Sequence, residues 1–411
     1  MTAHPPAETT SAFVPDGDLG EYLLAAIDDP GELTGRLCAI ESVSGNEAAI
    51  TDAVEAVLQA ISAGDGPDLE ILRDGDTIVA RTRLGRSERI VVAGHLDTVP
   101  VEGNLPPLRF VGTAAGPAGT GAEPHPGQGV PGASAAEAAV PDEDIVWGRG
   151  ACDMKAGVAM QLVTAAALRN PTRDVSWVFY DHEEVDAALN GLGRVARNHP
   201  DWLDGDFAIL GEPSNASVEG GCNGTIRVDV TTHGVRAHSA RAFMGVNAIH
   251  AAAEVLTRLA DHVSETVTVD GLDYRESLSA VAISGGVAGN VVPDEARISV
   301  NYRFAPSKSA AEAEGFLREL FTGFDVVVTD AAEGARPGLD RPIAQDFLSA
   351  LGAEPAAKLG WTDVSRFSAL GVPAVNFGPG NPLYAHKSDE HVRVREVEDA
   401  TRALVSYLEE G

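Results

Sequence analysis

The chain has 411 residues and a formal net charge of −31, from 61 acidic and 30 basic side chains. That length fits two domains, and so large an acidic excess argues against nucleic acid or an anionic membrane as a partner. No run of about 18 apolar residues is present, so no membrane span is predicted. The polar stretch 1–20 lacks the basic and apolar regions of a signal peptide. Three widely spaced cysteines, Cys38, Cys152 and Cys222, do not form a disulfide framework, and the expected location is a reducing cytoplasm. Two readings fit the acidity itself: genomic base composition with a solvated surface, or adaptation to salt.

Residues 21–62 read as two helices, the second capped by Ser44 with Glu47 completing a capping box. Residues 89–93 read as a buried strand leading to His95. A Gly/Ala/Pro-rich stretch over 112–140 has little periodicity and reads as a mobile surface insertion without a chemical role, its His125 a loop histidine. A helix over 154–169 and strands over 175–180 and 207–210 follow. Strands alternating with helices indicate a largely parallel α/β sheet. Beyond residue 220 the pattern changes. Strands over 225–232, 278–284, 296–304 and 324–329 interleave with helices over 246–262 and 310–321. That order, β-α-β-β-α-β, is the ferredoxin-like split motif. It reads as a domain over 220–333 inserted between two parts of a catalytic domain, 1–219 and 334–411.

Four acidic or histidine clusters follow or close apolar runs, which places them at strand ends, where open α/β sheets gather ligands. His95 and Asp97, two apart, face one side; His95 can bind a metal while Asp97 holds its other ring nitrogen. A structural histidine satisfies the same pattern. Asp153 follows Gly148 and Gly150 and begins a helix, so it serves either as an N-cap or as a carboxylate bridging two metals. Glu183 and Glu184 follow a strand and read either as a solvated acidic turn or as a base beside a ligand. Glu212 closes the apolar run Ala208-Ile209-Leu210, where an uncompensated carboxylate is costly; this favours a functional role. Imidazole and carboxylate together suit zinc. Cys152 reads as a small packing residue, since no basic neighbour in sequence activates it.

Taken together and in this order, these segments resemble the M20 metallopeptidase family. The matching pieces run from Gly94 to Pro100, Gly148 to Gly157, Glu183-Glu184, Gly211 to Ser214, Arg236 to Ser239 and Ala385 to Lys387. The resemblance implies a di-metal aminopeptidase-like catalytic domain with a ferredoxin-like lid and dimerisation domain. It also implies two divalent ions, zinc or cobalt. Asp153 would bridge them, His95 and Glu212 would complete one, and Glu184 and His386 the other. Glu183 would be the general base. His238 would donate to the oxyanion from the lid of the partner subunit, which makes a homodimer the expected active form.

Within that family, the segments Gly289 to Pro293, Tyr302 to Phe304, Thr362 to Phe367 and Phe377 to Asn381 are most similar to the Gram-positive deacylases that remove a succinyl group from N-succinyl-diaminopimelate. Such a substrate carries three carboxylates. Arg303 and Arg366 are the candidate anchors, with Asn290, Thr362 and Asn381 as neutral partners. The stretch from Trp361 to Arg366 and the longer loop from Asn381 to His386 depart from the more familiar pattern of those deacylases. Other M20 activities on a small-molecule amide remain open here, such as N-acyl-ornithine deacylase, carboxypeptidase or dipeptidase. So does a metal-stabilised scaffold without activity.

Overall fold

A computed structural model describes residues 10–64, 66–111 and 143–410. They fall into two compact units. The first comprises the described residues up to Ser217, Ser349–Gly352 and the chain from Phe377 onward; the second is Val218–Leu348 with Ala353–Asn376. The stretch 112–140, read from sequence as an insertion, lies outside the described residues. No helix among those described is long and apolar enough to cross a membrane. Cys38, Cys152 and Cys222 are all free and buried.

The first unit is built on strands Phe207–Leu210, Arg89–His95, Asp174–Tyr180, Thr77–Arg81 and Glu70–Asp74, side by side in that order. The first three are mutually parallel, and the last two form an antiparallel hairpin against them. The parallel strands are apolar runs buried on both faces, as interior strands of an α/β sheet must be. Helix Lys155–Ala167 covers one face with almost every residue of its first two turns buried. A small antiparallel sheet of Thr10–Ala12, Leu108–Phe110, Ile145–Trp147 and His391–Arg393 completes the unit.

Three expectations for this unit are corrected. Residues 19–63 form three helices, Leu19–Leu24, Pro30–Ala39 and Ala48–Ala63. Asp29 caps the middle one ahead of Pro30, which is preorganised for a first helical position. The capping box does not form. Glu47 itself precedes the third helix without a side-chain cap and accepts the Gly45 N–H at 2.9 Å. The Ser44 hydroxyl donates instead to the Asp97 carboxylate at 2.7 Å, since a charged acceptor outcompetes a backbone cap. Helix Lys155–Ala167 likewise starts two residues after Asp153, so Asp153 is not its N-cap.

The second unit holds a four-stranded antiparallel sheet. Its chain order is Gly224–His233, Ser277–Gly285, Glu295–Phe304 and Asp325–Ala332, and its spatial order is fourth, first, third, second. Burial alternates along the central strands. Ile226, Val228, Val230, Ile298, Val300, Tyr302 and Phe304 pack beneath helices Ala248–Asp261 and Ala310–Leu320. A Ser309–Glu312 capping box starts the latter helix. The sequence places the return to the first domain at residue 334. The contacts group 353–376 with the second unit, because Ala356–Ala357 and Ala374–Asn376 both pair with Glu219–Gly220.

Candidate metal centre

The three parallel strands of the first unit end at one edge, and their register decides what gathers there. His95 is the last residue of its strand and lies opposite Tyr180, while Ala93 lies opposite Leu210. Glu183 and Glu184, just past Tyr180, and Glu212, just past Leu210, therefore leave the sheet beside His95. Helix Lys155–Ala167 begins against the same edge. A Cβ on Gly157 would stand 2.1 Å from the Gly211 carbonyl, so glycine is what lets the helix approach the turn carrying Glu212.

Three groups of donor atoms converge, each within 4.8 Å: His95, Asp153 and Glu212; Asp153, Glu184 and His386; and His95, Glu183 and Glu184. Asp153 is shared by the first two. Its Oδ1 lies 3.3 Å from His95 Nε2 and its Oδ2 3.3 Å from His386 Nε2; the latter is also 2.9 Å from Glu184 Oε1. His95 is buried, whereas His386 is about half exposed, at 53 %.

The electrostatics show what this donor set lacks. Burial alone would raise the Asp153 carboxyl, but hydrogen bonds from His386 and His95 hold it far below the usual carboxylate range. Bonds to Asp153 and Glu184 push the His386 imidazole up to about 10. Burial works to lower His95, yet Asp153, Asp97 and the charge of Glu183 raise it well above an ordinary histidine. Converging carboxylates thus demand positive charge at the two Nε2 atoms. A divalent cation supplies it from the same positions, and mixed imidazole and carboxylate oxygen is a donor set suited to zinc-like ions. The residues therefore fit a metal site.

Around these side chains lies a layer that sequence reading captured only in part. Asp97 was expected to hold the second nitrogen of His95. His95 Nδ1 lies closer to the Asp97 backbone carbonyl, at 3.0 Å, than to its carboxylate, at 3.5 Å. The carboxylate instead accepts the backbone N–H groups of Glu183 at 2.9 Å and Glu184 at 3.1 Å, besides Ser44. Burial would raise this carboxyl; the His95 imidazole, Ser44 and the Glu183 amide bring it down to about 2. Behind the turn, His182 sits at a left-handed φ of 58°, its Nδ1 2.7 Å from Asp181 Oδ2. Arg194 and Thr77 in turn donate to Asp181 Oδ1 at 2.7 and 2.6 Å.

Glu390 and Arg149 went unrecognised. Glu390 is buried, accepts the N–H groups of Cys152 and Asp153 at 3.1 Å each, and pairs with Arg149 at 2.8 Å. Its position shortly after His386 is the one clue in sequence, and in so acidic a chain that clue is faint. Cys152 is buried and donates to the Asn381 carbonyl at 3.1 Å.

The remaining candidates are distributed differently. Asn381 belongs to the first unit, where its side chain accepts the Leu383 N–H and caps a turn. His238, Asn290, Arg303, Thr362 and Arg366 belong to the second. There, strand Ala237–His238 pairs with Val291–Val292, and the Asn290 carbonyl accepts from Ser239. His238 Nδ1 accepts the Ala240 N–H at 3.1 Å, which leaves Nε2 as the protonated donor of an exposed neutral ring. Thr362 donates to Asn376 at 2.9 Å, and Arg366 is ion-paired with Asp363.

The profile of peptidase family M20/M25/M40 matches residues 91–410. A putative succinyl-diaminopimelate desuccinylase of Mycobacterium tuberculosis is 49% identical over 382 residues, covering 92% of this chain and 98% of that protein. A succinyl-diaminopimelate desuccinylase of Corynebacterium glutamicum is 39% identical over 396 residues, covering 94% and 98%. Among solved structures, a Staphylococcus aureus tripeptidase superposes with a TM-score of 0.68 at 18% identity over 97% of this chain and 99% of its own. A dinuclear metal-binding M20 peptidase from Bacillus subtilis gives 0.62 at 15%, over 96% and 98%.

Proposed function

The chain belongs to peptidase family M20/M25/M40, and we propose that it is a di-metal amidohydrolase releasing succinate from N-succinyl-L,L-diaminopimelate. The observation that carries this reading is the sharing of Asp153 between two donor groups, one with His95 and Glu212, the other with Glu184 and His386. It is joined by 39–49% identity, over nearly the whole chain, to proteins named for that reaction. Two divalent cations, zinc or cobalt, would lower the pKa of water and polarise the amide carbonyl.

The chain's own residues do the rest. Glu183 takes a proton from the attacking water and hands it to the leaving amine. Asp97 holds its backbone in place, as it does that of Glu184. Glu390 fixes the Asp153 backbone, so the shared carboxylate presents one oxygen to each imidazole. His238, with its proton on Nε2, donates to the oxyanion that forms as the carbonyl is attacked. Arg303 takes a substrate carboxylate.

In this reading the four-stranded sheet and its two helices, over about 220–333, form a ferredoxin-like lid inserted into the catalytic domain. The lid also makes a homodimer, and His238 acts on the partner's site. Support for an interface comes from the edge strand Ser277–Gly285, where Val281 and Ile283 are exposed, and from Ile249 and Leu256 on helix Ala248–Asp261. The protein works in the cytoplasm. The test is hydrolysis of N-succinyl-diaminopimelate against N-acetyl-ornithine and a dipeptide panel, with zinc or cobalt added and then removed by chelator. Preference for another substrate would move the reading elsewhere in the family. Turnover that survives full metal removal would reject the mechanism.

A further inference from the structure

On the open face of the second unit's sheet, two guanidiniums stand together with no ion pair to either among the described residues, in a chain of net charge −31. Side chains alternate along a strand. Arg227 and Arg303 therefore lie on the face opposite Ile226, Val228, Tyr302 and Phe304, which pack beneath the helices. Arg303 is in register with Thr225 and Arg227 with Asn301, so the two arginines are diagonal neighbours on adjacent strands. Such positions are roughly 7–8 Å apart, within reach of two long side chains converging on one ligand.

Apart from Asp330, what surrounds them is neutral. Arg303 Nε donates to Asn301 Oδ1 at 3.2 Å, and Asn301 Nδ2 donates to Thr225 Oγ1 at 3.1 Å. Ser277 and Ser279 lie across from Arg303 and Asn301 on the neighbouring strand. The one acid in register with Arg227, Asp330, reaches neither arginine as an ion pair among the described residues. Burial lowers the Arg303 pKa and the Arg227 charge lowers it further, while the Asp330 carboxylate works the other way. Some other arginines of this unit are ion-paired: Arg297 with Asp229 and Glu295, Arg236 with Asp294, Arg366 with Asp363. Two guanidiniums that share one nearby carboxylate, Asp330, and form an ion pair with none leave room for a second anion.

We propose that Arg227 joins Arg303 in clamping one carboxylate of the substrate, and that Arg227 rather than Arg366 is the second cationic anchor. The identity of that carboxylate rests on the desuccinylase reading; the anion site does not. Planar guanidinium forks from two strands give four or more N–H donors for one carboxylate, with Asn301 holding Arg303 at its Nε.

The test uses the metal-loaded full chain. Arg227→Gln is expected to raise KM for N-succinyl-diaminopimelate about 10- to 100-fold, with kcat nearly unchanged. Arg227→Lys should recover part of the loss, and Arg366→Gln should raise KM far less. Two truncated substrates then locate the partner. N-butyryl-diaminopimelate lacks the acyl carboxylate, and N-succinyl-lysine lacks the distal one of the amino acid. The Arg227→Gln penalty should vanish on the substrate missing the carboxylate that Arg227 holds. No penalty on any of the three overturns the proposal; an equal penalty on all three assigns Arg227 to the carboxylate beside the scissile amide, which all three retain, and then requires the binding loss described next. Calorimetric titration with free succinate and free diaminopimelate separates this outcome from a failure of the desuccinylase reading. At least one should bind the variant about tenfold or more weakly than wild type. If neither does, the anion site is rejected, whatever amide the enzyme cleaves.

Discussion

Replacing Asp97 with asparagine should release the Glu183–Glu184 turn while leaving His95 in place. The carboxylate is fully buried and accepts three hydrogen bonds: Glu183 N–H at 2.9 Å on Oδ1, and Glu184 N–H at 3.1 Å and Ser44 Oγ at 2.7 Å on Oδ2. Asparagine keeps the shape but presents one oxygen and one NH2. With its oxygen on Glu183, the amide faces Ser44, which can rotate and accept, and the Glu184 N–H, which cannot. Two charge-assisted bonds become neutral and the third is lost, each bond to a charged group being worth roughly 1.5–3 kcal/mol. A local cost of about 3 kcal/mol follows, or about two powers of ten in the opening equilibrium. Amide hydrogen exchange at Glu183 and Glu184 reads it directly: both should exchange about 10²-fold faster in Asp97→Asn. Mispositioning of the base should cost about 10²-fold in kcat. The nearer partner of His95 Nδ1 is the Asp97 backbone carbonyl, which the substitution retains. Competition with a chelator should therefore show weaker binding of the metal held by Glu184 and little change at the one held by His95 and Glu212. Unchanged exchange at the two glutamates, or equal weakening of both metals, would refute this account of Asp97.

Glu183→Gln should bind two metals normally yet lose about 10²–10⁴-fold or more in turnover; near-wild-type rates at full metal content would remove Glu183 as the base. Glu184→Gln should lose one metal along with activity, and a stoichiometry that stayed at two would reject it as a ligand. His238→Ala should be nearly inactive alone, yet mixing it with Glu183→Gln under subunit exchange should restore about a quarter of the sites, because half of the dimers are mixed and each has one intact pair. No recovery, once mass spectrometry has confirmed exchange, would show that His238 does not act across a dimer.

Much of the fold was legible because its strongest signals are local. The runs at 175–180 and 207–210 are apolar throughout and buried throughout. Alternation along 225–232 reappears as the buried and exposed faces of Gly224–His233. What failed was competition between local and distant partners. The Ser44–Glu47 spacing satisfies a capping box by sequence, but Asp97 lies 53 positions away and takes the serine hydroxyl. The end of the second unit is hard to place in sequence for a similar reason. Ala356–Ala357 and Ala374–Asn376 are too short to register as strands, and only their pairing with Glu219–Gly220 assigns them.

The candidate site divides along the same line. Metal-type donors were found because imidazoles and carboxylates at strand ends are chemically conspicuous, and the parallel register does the gathering. Residues that orient those donors were missed, because Glu390 and Arg149 are two among 91 charged side chains. The substrate contacts were hardest to read. An arginine in sequence carries a charge but not its counter-ion. Arg366 has Asp363 three positions away and pairs with it, whereas Arg227 has no acid close in sequence except Asp229, which takes Arg297 and Ser299 instead. Whether a guanidinium is left over for a ligand thus depends on which acids come within ion-pair distance in the fold, a property that no single-strand pattern encodes. Arg227 is preferred to Arg366 as the proposed second anchor because Arg366 already has Asp363 as its ion-pair partner.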